Sequence, residues 1–255
     1  MTTPIRTGVL DGVATIEIAR PEKKNALTVE MYQAMADALL DAQLDAQVRA
    51  ILIAGQPGIF CSGNDLEDFM RRPRAGEDSP VFQFMRALIG CDKPVVAAVT
   101  GPAIGIGVTM LLHCDFVIVA DDARLAMPFT SLGLVPEFGS SLLVPALMGA
   151  RRAAEKLLLG DPFTADNAVE CGIASAVLPA GEVMAQARRI AERFNGLPPG
   201  SVQQTKRLVH GPQREAVLAA VQREAVAFGQ RLASPEAREA MQAFLEKRKP
   251  DFSKF

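Results

Sequence analysis

The sequence predicts a mixed α/β fold, and two observations carry that prediction. Short apolar runs alternate with helix-forming stretches through residues 1–195, and residues 196–255 read as almost unbroken helix. The first strand is Val13 to Ile18, VATIEI, where apolar and other side chains alternate. Thr28 then stands where an N-cap should, before a helical stretch that runs to about Leu44. Val48 to Ala54, Pro94 to Val99 and Phe116 to Ala120 are short apolar strands, and Gly105 to Cys114 reads as a buried helix between the last two. Residues 71–80, RRPRAGEDSP, are charged and aperiodic, as a surface loop is. A second break falls at Asn195 to Gly200, and two amphipathic helical runs follow between Ser201 and Lys249. The expected division is a core over 1–195 and a helical section over 196–255.

Composition narrows the class. Hydrophobic residues make up 49% of the 255 positions, enough for a sizeable core. A net charge of −2 argues against nucleic acid or an anionic membrane as the main partner. No run approaches the length of a membrane span, so none is expected. The N-terminus has no signal-like apolar stretch and the Ser253-Lys254-Phe255 end is not the usual peroxisomal signal, so the cytoplasm is the expected compartment. Cys61, Cys91, Cys114 and Cys171 lack CxxC spacing and a His pair, so they read as core thiols, with no metal site expected.

Three segments carry candidate chemistry. Ile59 to Leu66, IFCSGNDL, follows a strand and enters a helix. It is either a plain connecting turn or one whose N–H groups receive an anionic oxygen. Gly101 to Gly107, GPAIGIG, lacks the GK[ST] ending of a P-loop and the third glycine of a dinucleotide fingerprint. What remains is close helix packing or a set of N–H groups at a helix start. Glu137 is the one acid in Pro128 to Ser141, an otherwise apolar and small stretch. It is either a general base with a raised pKa or a loop glutamate capping the next helix, and the residues alone favour the cap. His113 in MLLHCDF reads as a satisfied buried histidine, and no GxSxG is present.

In this order and spacing the three segments, with Arg20 to Leu27 (RPEKKNAL) before them, resemble the crotonase (enoyl-CoA hydratase/isomerase) superfamily over essentially the whole chain. The resemblance implies a crotonase-like spiral of ββα units with a C-terminal helical trimerisation region, assembled as a homotrimer or hexamer. It implies an acyl-CoA thioester substrate, no nucleic-acid or membrane partner, and no cofactor beyond the CoA moiety of the substrate. Two backbone N–H groups hold the thioester oxygen in the family; the matching positions are Asn64 and Ile106, where family members usually carry a small residue and glycine. Losing one such donor typically costs roughly 100- to 1,000-fold in rate.

Hydratases of the family use two glutamates, and the matching positions are Thr109 and Phe129. With neither acid present, the chain looks most like the peroxisomal-type Δ3,Δ2-enoyl-CoA isomerases, and the resemblance makes Glu137 the catalytic base. It further implies CoA binding along Lys23, Asn25, Cys61, Ser62, Gly63, Asp65 and Leu66. Phe228 and Lys247 are candidates for CoA contacts from a neighbouring subunit's C-terminal helices. Phe69, Met70, Phe84 and Phe129 are expected at the acyl chain, although all four read equally as core. Three other readings stand beside the isomerase. One is a hydratase or other crotonase reaction using Asp65, Glu67 or Asp68. Another is a non-catalytic CoA-thioester binder. The last is a nucleic-acid binder centred on Arg71, Arg72 and Arg74.

Overall fold

The computed structural model describes the backbone of residues 4–71 and 78–255, and the side chains of all of these except 69–71. Two sheets organise the chain, and it visits them in turn. The larger holds β1 (Ile5–Leu10), β2 (Val13–Ile18), β3 (Ala50–Ala54), β4 (Val95–Val99), β6 (Phe116–Ala120) and β9 (Ala176–Leu178), in that order. The smaller holds β5 (Pro102–Ile104), β7 (Arg124–Ala126) and β8 (Phe163–Thr164). β1 pairs antiparallel with β2, and every later pairing of the large sheet is parallel. Parallel strands must be covered on both faces, so β3 and β4 are buried along their whole length and read as unbroken apolar runs.

The helices are α1 (Val29–Leu44), α2 (Leu66–Arg71), α3 (Pro80–Gly90), α4 (Ile106–Thr109), α5 (Ser140–Met148), α6 (Ala150–Ala154), α7 (Ala165–Glu170), α8 (Ala180–Glu192), α9 (Pro199–Leu232) and α10 (Pro235–Leu245). Thr28 caps α1 as expected, its hydroxyl accepting from the Met31 N–H at 3.3 Å. α1 lies against α3, and α8 crosses β3, β4 and β6. The expected buried helix over Gly105 to Cys114 divides: α4 lasts one turn, and Met110–His113 tightens into a 3-10 turn. α9 starts within the expected break, with Pro199 at its first position, where the missing N–H costs nothing. It is held to the sheet by ion pairs. Lys206 meets Asp115 at 2.6 Å, and Arg207 and Arg214 each meet Asp92 at 2.7 Å. Among the described residues, no helix is long and apolar enough to cross a membrane.

Candidate active site

The first candidate turn is sewn between two other segments. On one side the Ser62 N–H donates to Lys24 O, the Leu27 N–H to Gly63 O and the Asp65 N–H to Leu27 O. On the other, the Cys61 N–H donates to Pro102 O at 3.0 Å and the Ile104 N–H to Cys61 O at 2.9 Å. Two glycines make this closeness possible. Gly63 has φ +99°, a region that L side chains rarely adopt, and a Cβ on Gly107 would stand 2.6 Å from Cys61 O. Asn64 and Ile106, the two expected oxyanion donors, are thereby brought into one groove. Ile106 opens α4, so its N–H belongs to a first turn with no intrahelical acceptor. The Asn64 side chain is fixed from below, its Oδ1 accepting from the Tyr32 hydroxyl at 2.6 Å.

The groove has a volume of about 750 Å3. Lys23, Ser62, Gly63, Asp65 and Leu66 line its first wall and Phe129 its second. Phe228, Phe244 and Leu245 close it from the C-terminal helices. Two expected contacts lie one layer beneath. Asn25 is fully buried. Its Nδ2 donates to Ile59 O and Phe60 O, and its Oδ1 accepts from the Arg20 N–H, fastening residues 20–27 to the first turn. Cys61 is also fully buried and contributes its backbone bridge. Burial, with the Glu137 charge adding to it, pushes the Cys61 thiol up to about 12.

Other expectations fall elsewhere. Phe84 does not line the groove. The inward face of α3 carries it into the core, where its ring meets Tyr32 at 5.6 Å and Phe138 at 5.8 Å. Lys247 is exposed beyond the end of α10 and does not line the groove of its own chain. The side chains of Phe69, Met70 and Arg71, and the whole of Arg72 and Arg74, lie outside the described residues. Asp65 and Asp68 are structural. Asp65 pairs with Arg20 at 2.7 Å; burial opposes its charge, but the Asp68 N–H and Arg20 hold it below the usual carboxylate range. Asp68 accepts from the Val29 N–H at the start of α1.

Glu137 is not the exposed capping glutamate that its surroundings alone favour. It is 5% exposed and lines a smaller cavity that shares Phe228 with the groove. Its Oε1 accepts from the Thr109 hydroxyl, three residues after Ile106 on α4. The turn beneath it is held at every residue. Ser140 donates from Oγ to Glu137 O at 2.6 Å. His113 Nε2 donates to Phe138 O at 2.8 Å while its ring stacks on that of Phe138. The cap of α5 comes from Glu224 on α9, which accepts from the Gly139 and Ser141 N–H groups.

Sequence reasoning missed Tyr32, Glu224 and the part Thr109 plays. Glu224 left a signal. Val217, Ala220, Val221 and Phe228 form the buried stripe of α9, and Glu224 is the acid within it. Tyr32 left none, because a core aromatic at helical spacing looks the same with or without a polar partner.

The chain matches the family described as enoyl-CoA hydratase/isomerase over residues 9–254. It is 34% identical to the rat enoyl-CoA delta isomerase 2 over 94% of its own length and 62% of that protein's. It is 32% identical to the crotonyl-CoA hydratase of Syntrophomonas wolfei, with 94% of each chain covered. The solved structure of Pseudomonas aeruginosa OdaA superposes with a TM-score of 0.93 at 48% identity, over 96% of this chain and 99% of that one. With that fold, the paired backbone turns and the match across nearly its whole length, the chain belongs to the enoyl-CoA hydratase/isomerase family of the crotonase superfamily.

Proposed function

We propose that this protein is a Δ3,Δ2-enoyl-CoA isomerase in which Glu137 alone moves the proton. One observation carries the reading. Glu137 is the buried acid beside the oxyanion helix, held there by Thr109, while the positions matching the two hydratase glutamates are Thr109 itself and Phe129. The CoA moiety lies along Lys23 and Ser62 to Leu66, and the acyl chain enters past Phe228 towards Glu137. The carboxylate takes a proton from C2 of a 3-enoyl-CoA. The Asn64 and Ile106 N–H groups receive the charge that develops on the thioester oxygen. The carboxylic acid then returns the proton to C4, giving the trans-2-enoyl-CoA. A net 1,3-proton shift balances with one base and calls for no metal or redox cofactor. Assembly as a trimer or hexamer belongs to the same proposal.

Hydration with an atypical acid is the competing reading, since relatives bear names of both kinds. Asp65 is taken up by Arg20 and Asp68 by the start of α1, which weighs against both, and Glu67, which lines the groove, is the acid left to that reading. Assaying the protein and Glu137→Gln on a 3-enoyl-CoA and a trans-2-enoyl-CoA decides between them. We expect isomerisation that falls by about 100- to 10,000-fold in the variant, the usual worth of a positioned acid–base group. Hydration that survives the substitution would refute the assignment.

A further inference from the structure

We infer that Glu224 is a positioning residue that sets the place of Glu137 from the C-terminal helix. This rests on the reading of Glu137 as the acid–base group. The residue after Glu137 takes an unfavourable path: Phe138 has φ +57°, and Gly139 follows at φ +75°, which glycine adopts without strain. A non-glycine residue there persists only when its surroundings hold it. That path brings the Gly139 and Ser141 N–H groups towards a single point, and the Glu224 carboxylate occupies it. Gly139 N–H donates to Oε2 at 2.6 Å and Ser141 N–H to Oε1 at 2.8 Å.

Glu224 is 7% exposed, and an ionisable group in an apolar stripe needs such partners to stay there. Gly139 offers no capping side chain, so α5 takes its cap from α9. That division of labour leaves the Glu137 carboxylate to Thr109 rather than to the helix end. Glu137 and Glu224 line the same cavity, and Phe228, one turn further along α9, lines both cavity and groove. α9 thus delivers the wall of the acyl path and the clamp on the base together.

The test separates positioning from folding. Glu224→Gln keeps the shape of the side chain but sets an amide N–H against one of the two donors. Binding of a saturated acyl-CoA counts the folded sites, and turnover is expressed per site. We expect kcat per site to fall by about 100-fold, the scale of an ångström-sized misplacement, with binding retained. A role confined to folding would lower the number of sites and leave kcat per site unchanged, which would overturn the inference. Glu137→Gln is run in parallel. If it keeps turnover, the Glu137 reading fails and this inference with it. If it is inactive while Glu224→Gln keeps full kcat per site, only the clamp fails. Amide hydrogen exchange on the unaltered protein needs no variant: slow exchange at Gly139 and Ser141 is expected, and exchange at the rate of an open turn would overturn the clamp.

Discussion

The two walls of the site are built on different principles. The two turns of the proposed oxyanion site, 61–64 and 102–106, are joined backbone to backbone, and their geometry hangs on glycines that let two strands of chain approach. The Glu137 turn, 137–141, is gripped by side chains from elements far apart in sequence: Thr109, His113 and Glu224. A wall made of backbone tolerates changes of side chain as long as the small residues stay, so the proposed donors at Asn64 and Ile106 need no particular side chain of their own. A wall made of side chains depends on the chemistry of each one.

Three substitutions sharpen this contrast. The largest effect is expected at Gly107→Ala, whose new Cβ would meet Cys61 O at 2.6 Å and push α4 off the first turn. Turnover should fall by about 100- to 1,000-fold, as when one oxyanion donor is lost. Near-native kinetics would show that the two turns need not touch. Next is Thr109→Val, which keeps the shape and removes the hydroxyl. A hydrogen bond to a charged group contributes about 1.5–3 kcal/mol, so kcat should fall by about 10- to 100-fold with KM little changed. An equal fall in acyl-CoA affinity would instead mark Thr109 as a binding contact.

The last effect falls on stability rather than on rate and comes through His113. Burial pushes its pKa down from 6.5 to about 4, against the pull of the Phe138 carbonyl. The unfolded chain takes up this proton near the ordinary histidine value and the folded chain only near 4. Above that window both states are neutral and nothing is lost. As pH falls through it, the unfolded state gains the proton first and stability drops, by about 2–3 kcal/mol. Urea melts between pH 7 and pH 4 read this directly. The drop should flatten in His113→Gln, and an unaltered pH profile in that variant would assign it to other groups.

How much of this was legible in the sequence depended on whether local pattern or long-range packing decided each element. The strands over 13–18, 50–54, 95–99 and 116–120 were readable because they are buried along most of their length. β5, β7, β8 and β9 are two or three residues long and carry no period. β1 was hidden because its exposed course through Gly8, Val9 and Leu10 shows no alternation. The oxyanion turns were visible as small-residue motifs, yet only the resemblance gave them a role. Glu137 looked like a cap because the true cap, Glu224, lies more than eighty residues away on α9. No local window contains both carboxylates, so the division of labour between them is a property of the fold.

In the proposed reaction one shielded carboxyl group both takes and returns the proton. The most direct test is a 3-enoyl-CoA carrying deuterium at C2, converted in ordinary water, with the product's C4 position read by mass spectrometry or NMR. Deuterium at C4 well above the solvent level is expected, because Glu137 is 5% exposed and would hold the label between the two steps. A C4 hydrogen drawn wholly from solvent would contradict it and call for a second proton donor.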